Sequence, residues 1–132
     1  VTYCTRQELE DAFGADVIAE LEGERANAVA EAIADAAFQI DGYIAARYPL
    51  PLATVPGLLR TIARNLVRYS LDIDPDDKVK ARRDEAISYL RDIAAGRATL
   101  GLPQAAEPAS LDTAQVESAG NVFARDKSKG FI

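Results

Sequence analysis

The sequence predicts an all-α protein: a small bundle of four to five helices followed by an extended C-terminal tail. Three observations predict it. Apolar residues recur at spacings of three and four across residues 24–47, 57–71 and 75–95. Helix start and stop residues stand at the ends of those stretches. From Pro103 onward the periodicity dissolves into a small, polar stretch. The expected organisation is a helical domain over 1–102, then a flexible linker and docking tail over 103–132.

The first element is "TRQELEDAF". Thr5 is placed to cap, and Glu8 three residues later completes a capping box. Gly14 interrupts, and "ADVIAELEG" reads as a second short helix ending near Gly23. The segment of about Glu24–Arg47 reads as the clearest helix, with Val29, Ile33, Ala36, Ala37, Ile40, Tyr43 and Ile44 forming the inward stripe. Its many alanines favour helix and permit close packing. Pro49 ends it, because the residue before proline is pushed out of helical geometry.

The next stretch, "RYPLPLATVPGLLR", holds three prolines and four leucines. Two roles are open for it. Pro49 stops one helix and Pro56 starts the next, so Leu50, Leu52 and Val55 are expected to plug the end of the bundle. Alternatively, a proline-stiffened strip presents Tyr48, Leu50 and Leu52 to a neighbour at low ordering cost. "GLLRTIARNLVRYSL" follows as a helix burying Leu58, Leu59, Ile62, Leu66 and Tyr69. Arg60, Arg64 and Arg68 recur every four residues along another face. In "DIDPDD", Asp74 and Pro75 suit the N-cap and first helical positions. That last helix runs to about Ala95, with Gly96 as its stop.

Charge is divided along the chain. Residues 1–46 carry ten acids against Arg6 and Arg25. Residues 47–100 carry ten bases against seven acids, and 101–132 carry four acids against three bases, giving a net −6. An acidic part followed by a basic part suggests complementary surfaces, within one subunit or between copies. The overall acidity argues against a general nucleic-acid binder.

The residues for catalysis are sparse. There is no His, and Cys4 is the only cysteine, so no internal disulfide forms. No Gly-rich phosphate loop or paired-carboxylate motif stands out, and no catalytic, cofactor or metal residue is assigned. "DIDPDD" starts like a calcium loop, but the sixth and twelfth positions are Asp77 and Arg83 where Gly and Glu are needed. No apolar run approaches a membrane span, and the first residues are too polar for a signal peptide. The arginine row supplies the alternative function, a DNA-contacting regulatory or packaging factor, although aromatic interleaving is missing.

Four segments together carry a resemblance: "IDGYIAARYPLPL", "VPGLLRTIARNLVRYSL", "AISYLRDIAAGRATLGL" and "NVFARDKSKGF". They resemble the Mu-like phage and prophage head–tail connector family, the adaptor or neck proteins. "RYPLPL" followed by "VPGLL" is the most specific mark, and "FARDKSKGF" is a second, independent one. The resemblance departs at residues 21–28, where relatives carry a longer Asp-rich loop, so no ion-binding role is carried over.

The resemblance implies a virion structural protein at the head–tail junction, made in the host cytoplasm. Copies are expected to form a ring of about twelve subunits, a closed assembly built on heterologous contacts. The ring would dock on the portal, extend the DNA channel and meet tail-proximal neck or tail-terminator proteins. Genomic DNA would pass through without specific binding; no enzymatic activity, cofactor or membrane is implied. Candidate partner-binding residues are then Tyr48, Leu50 and Leu52, the row Arg60, Arg64 and Arg68, and the tail. In the tail, Phe123 and Phe131 would anchor while Arg125, Lys127 and Lys129 make polar contacts.

Overall fold

The computed structural model describes residues 2–104. Among them are five helices and no strand, so the expected all-α fold is observed: α1 (Arg6–Phe13), α2 (Ala15–Glu22), α3 (Ala28–Ile44), α4 (Gly57–Leu71) and α5 (Asp77–Ala95). The long helices α3, α4 and α5 pack pairwise around one core, while α1 and α2 pair with each other and α1 also meets α4. Ile40 and Ile44 of α3, Leu59 of α4, and Leu90 and Ile93 of α5 are fully buried there, joined by Leu9 of α1 and Ile18 of α2.

The local sequence explains most boundaries. Thr5 accepts from the Glu8 N–H while Glu8 bonds back to the Thr5 N–H, the expected capping box. Gly14 and Gly23, both at positive φ, end α1 and α2. The α3 helix begins at Ala28 rather than near Glu24. Residues after Gly23 form a turn instead, in which Asn27 takes a left-handed conformation at φ 67°. Arg25 holds that turn, donating to the Leu21 carbonyl and, at 3.0 Å, to the Leu71 carbonyl at the end of α4. Two helix ends with unsatisfied carbonyls thus share one guanidinium.

Pro56 occupies the N-cap position of α4, one residue outside the helix. The α5 start also differs from expectation. Its cap is Asp76, whose carboxylate accepts the Val79 N–H at 2.9 Å. Asp74 is used elsewhere: its N–H donates to Asp72 at 3.0 Å, forming an Asx-type turn that delays the helix by two residues. The Asp72 carboxylate is held below its usual range by the Arg68 hydrogen bond, with the Asp74 N–H adding to the effect.

The N-terminal segment is tied down before α1. Tyr3 is buried and its hydroxyl donates to the Asp41 carboxylate on α3. Burial, reinforced by Asp41, raises the Tyr3 phenol above its ordinary pKa. Cys4 is 2% exposed, and burial chiefly pushes its thiol up to about 11. A buried, protonated thiol is a core side chain and not a nucleophile.

At the far end, Gly96 closes α5 with φ 82°, a left-handed C-cap. A Cβ there would meet the Arg47 guanidinium at 2.8–3.0 Å. Arg47 in turn donates to the Ala94 carbonyl at 3.1 Å, in the last turn of α5.

Two outcomes test these ties. Gly96→Ala is expected to destabilise the chain by more than about 1 kcal/mol in urea unfolding, since it adds positive-φ strain to a close approach. Cys4 is expected to react with Ellman's reagent at pH 8 only as fast as the N-terminal segment opens. Because the folded thiol titrates at about 11 against 9.0 for an ordinary one, its contribution to stability is present below pH 9 and lost as pH rises towards 11. Immediate labelling of the native chain would mean the segment is not docked.

Candidate functional site

The side chains available for contact are few, and the proline-rich connection supplies some of them. Tyr48 is 1% exposed. Its hydroxyl shares a hydrogen bond with Thr99 at 3.1 Å and accepts the Leu100 N–H at 2.9 Å. The expectation that Tyr48 is presented to a neighbour is therefore corrected: its own chain, leaving α5, covers it. Leu52 and Val55 pack partly buried against the core, which is the plug role. Leu50 is different, at 38% exposed, and is free to touch a partner. A pocket of about 180 Å³ opens beside it, lined by Pro49, Pro51, Leu52 and Ala53 and, across from them, Leu102 and Pro103.

The arginine row does not act as one surface. Arg60 reaches across to Glu8 of α1 at 2.8 Å, pairing the basic helix with the acidic part inside one subunit. Arg68 pairs with Asp72 at 2.8 Å and is part-buried. Arg64 donates to Thr61 at 3.1 Å and has no carboxylate within ion-pair distance among the described residues. Of the three arginines, two are already committed to neighbours in their own chain. A phosphate-tracking row needs such charges free.

The acidic part is organised by Arg6, which pairs with Glu10 at 3.1 Å and Glu22 at 3.0 Å, bracing α1 against the end of α2. Asp16, Glu20, Glu24, Glu31 and Asp35, on α2, the turn after it and α3, make no ion pair among the described residues. On α5, Lys78, Lys80, Arg82 and Arg91 are the counterpart cations without an ion pair among the described residues. Arg83 is engaged, pairing with Asp84 and lying over the Tyr69 ring at 4.7 Å from its centre. Among the described residues no group of three His, Cys, Asp or Glu side chains is placed to hold a metal ion, and no helix is long and apolar enough to cross a membrane.

The two most exposed apolar side chains among the described residues escape the sequence reading, as do the half-exposed Val17 and Tyr89. Phe38 on α3 is 73% exposed and Ile73, in the turn before α5, is 89% exposed. Phe38 was recoverable, because it falls two residues from both Ala36 and Ile40 and so off their stripe. Nothing in the pattern marks Ile73, which sits between aspartates in a turn. Phe123, Arg125, Lys127, Lys129 and Phe131 lie outside the described residues.

Comparison with known proteins points one way. The family model described as "Bacteriophage Mu, Gp36" matches residues 3–118. The "Mu-like prophage FluMu protein gp36" of Haemophilus influenzae is 39% identical over 106 residues, covering 79% of this chain and 75% of that protein. "Gene product J" of Escherichia phage Mu is 38% identical over 115 residues, covering 84% and 81%. The match takes in all five helices together with the proline-rich connection, so this chain belongs to the bacteriophage Mu Gp36 family of phage and prophage proteins.

Proposed function

We propose that this phage protein is a head–tail adaptor: a non-enzymatic structural subunit that forms a ring beneath the portal, extends the DNA channel and links capsid to tail. One observation carries the reading. Among the described residues, acids without an ion pair prevail on α2, the turn after it and α3, whereas α5 carries four cations without one against two such acids, Asp77 and Glu85. Such a body can meet copies of itself through unlike faces, and contacts between unlike faces generate a ring when the rotation between copies closes. Charge of this kind selects register and partner more than it supplies affinity. The exposed Leu50 and Phe38 add the apolar anchors a subunit contact needs.

In this reading the segment at 120–132 docks on the portal or a neighbouring subunit, with Phe123 and Phe131 as anchors and Arg125, Lys127 and Lys129 as polar contacts. The ring lies at the virion's head–tail junction and offers its far side to neck or tail-terminator proteins. The DNA-contacting alternative gains little from the geometry, since Arg60 and Arg68 are paired within the chain.

Imaging of purified virions is expected to show a ring of this chain under the portal; virions lacking the chain by mass spectrometry would reject the adaptor. Hydrogen exchange of residues 120–132 is expected to slow on portal binding, and equal exchange with and without portal would remove the docking segment. Leu50→Asp is expected to leave the monomer folded and weaken assembly. A salt-dependent shift of duplex DNA by the isolated chain would instead favour the DNA-contacting reading.

A further inference from the structure

We infer that adjacent copies of this chain meet through Phe38, which enters the groove between α4 and α5 of the next copy. The inference rests on the ring-forming reading above and names the surfaces that reading leaves open.

Phe38 is a projecting anchor. Its side chain is 73% exposed, although α3 is one of the three core helices. A separation of two residues from Ala36 and Ile40 rotates it by roughly 200° away from the buried stripe. Its neighbours four residues either way on that outer face are small, Ala34 and Gly42, with Ala45 beyond, and those three residues either way are the acids Asp35 and Asp41. A Cβ placed on Gly42 would touch nothing within 4 Å. The ring therefore stands clear of a low helix surface. A large aromatic in this setting resembles the anchors that dominate subunit contacts.

The groove is a fitting receptor. It has a volume of about 250 Å³ and its lining includes Leu58, Ile62, Ala86 and Tyr89. Those side chains offer an apolar floor and an aromatic edge for a phenyl ring. It also lies on the right side of the molecule. On α5, Asp84, Ile87 and Arg91 line the crevice shared with α3, where Gln39 and Tyr43 stand opposite. Tyr89 and Arg82 line the other groove and so point away from α3. Phe38 and its proposed receptor thus look outward from opposite sides of the three-helix body. Opposed, unlike faces are what a repeating head-to-tail contact requires.

Charge complementarity selects a second copy as the occupant. The α3 helix holds Glu31, Asp35 and Asp41 and no basic residue. Glu31 and Asp35 lie within two turns of Phe38 and make no ion pair among the described residues. At the groove, Arg82 sits at the lining and Lys78 one turn before it, both exposed and without an ion pair among the described residues. Glu85 is the one acid at that lining. The acidic surround of the knob thus meets Arg82 and Lys78 against the single Glu85 at the hole, whereas knob against knob would set acids against acids.

The test uses the full chain with paired cysteines. Phe38→Cys mixed with Tyr89→Cys is expected to give a disulfide-linked heterodimer, and the double variant a ladder of multimers. Each single variant, and a Phe38→Cys mixture with Ser88→Cys on another side of α5, should give at least tenfold less. Phe38→Ala is expected to weaken self-association at least tenfold in sedimentation, with an unchanged melting temperature. Equal cross-linking through Ser88 and Tyr89, unchanged association of Phe38→Ala, or a wild-type chain still monomeric at about 1 mM would each overturn the inference. A Phe38–Tyr89 ladder from a chain absent from virions keeps this contact and removes the adaptor reading. A ring in virions whose double-variant copies do not cross-link keeps the adaptor and overturns the contact.

Discussion

The clamp between the proline-rich connection and the end of α5 holds the two halves of this fold together. Arg47 caps the last turn of α5 through the Ala94 carbonyl, and Tyr48 receives the backbone of Leu100 as the chain leaves. A helix end with open carbonyls and a connection between two other helices are thereby satisfied together. The bonds are buried or part-buried, so losing one partner strands the other, at a cost of about 1–3 kcal/mol. Gly96 is the condition for the clamp: only a residue without a side chain lets the Arg47 guanidinium lie so close. Arg25 performs the same service at the opposite end, joining the ends of α2 and α4. Each end of the bundle is thus fastened by an arginine reaching for main-chain carbonyls.

With the body fixed this way, its polar surface divides by element. Some charges are spent internally: Arg6 on Glu10 and Glu22, Arg60 on Glu8, Arg68 on Asp72. The exposed pairs of Arg6 and Arg60 contribute little stability, with a typical value of about 0–1 kcal/mol each. Two of them matter more for orientation: Arg6–Glu22 ties α1 to α2, and Arg60–Glu8 ties α1 to α4 of the core. Among the described residues, the first half of the chain keeps mostly acids without an ion pair, whereas α5 keeps Lys78, Lys80, Arg82 and Arg91 against Asp77 and Glu85.

Much of the fold was legible in the sequence because it rests on local rules. The capping box at Thr5 and Glu8, the stops at Gly14, Gly23 and Gly96, and the inward stripe of α3 each depend on residues within a turn or two. The failures were tertiary. Glu24–Asn27 has ordinary helix formers, yet Arg25 gains two carbonyls by leaving the helix. Asp74 is a good cap by type, but its N–H is taken by Asp72 and Asp76 caps instead. Tyr48 looked like a presented aromatic because its partners, Thr99 and Leu100, lie about fifty residues along the chain. The arginine row had the right spacing for one face, and only the fold revealed how its members are divided. Phe38 stood outside the stripe in plain view, and its exposure gives it meaning that periodicity alone did not.

The exposure of Phe38 has a consequence for how the protein changes over time. A side chain that contributes almost nothing to its own core is free of the constraint that governs Ile40 two residues on. The two side chains leave the helix on opposite sides, so a change at Phe38 leaves the packing of Ile40 in the core untouched. In the proposed assembly, folding and association rest on separate residues of a single helix, one face holding the subunit's core while the other is adjustable to the surface it meets.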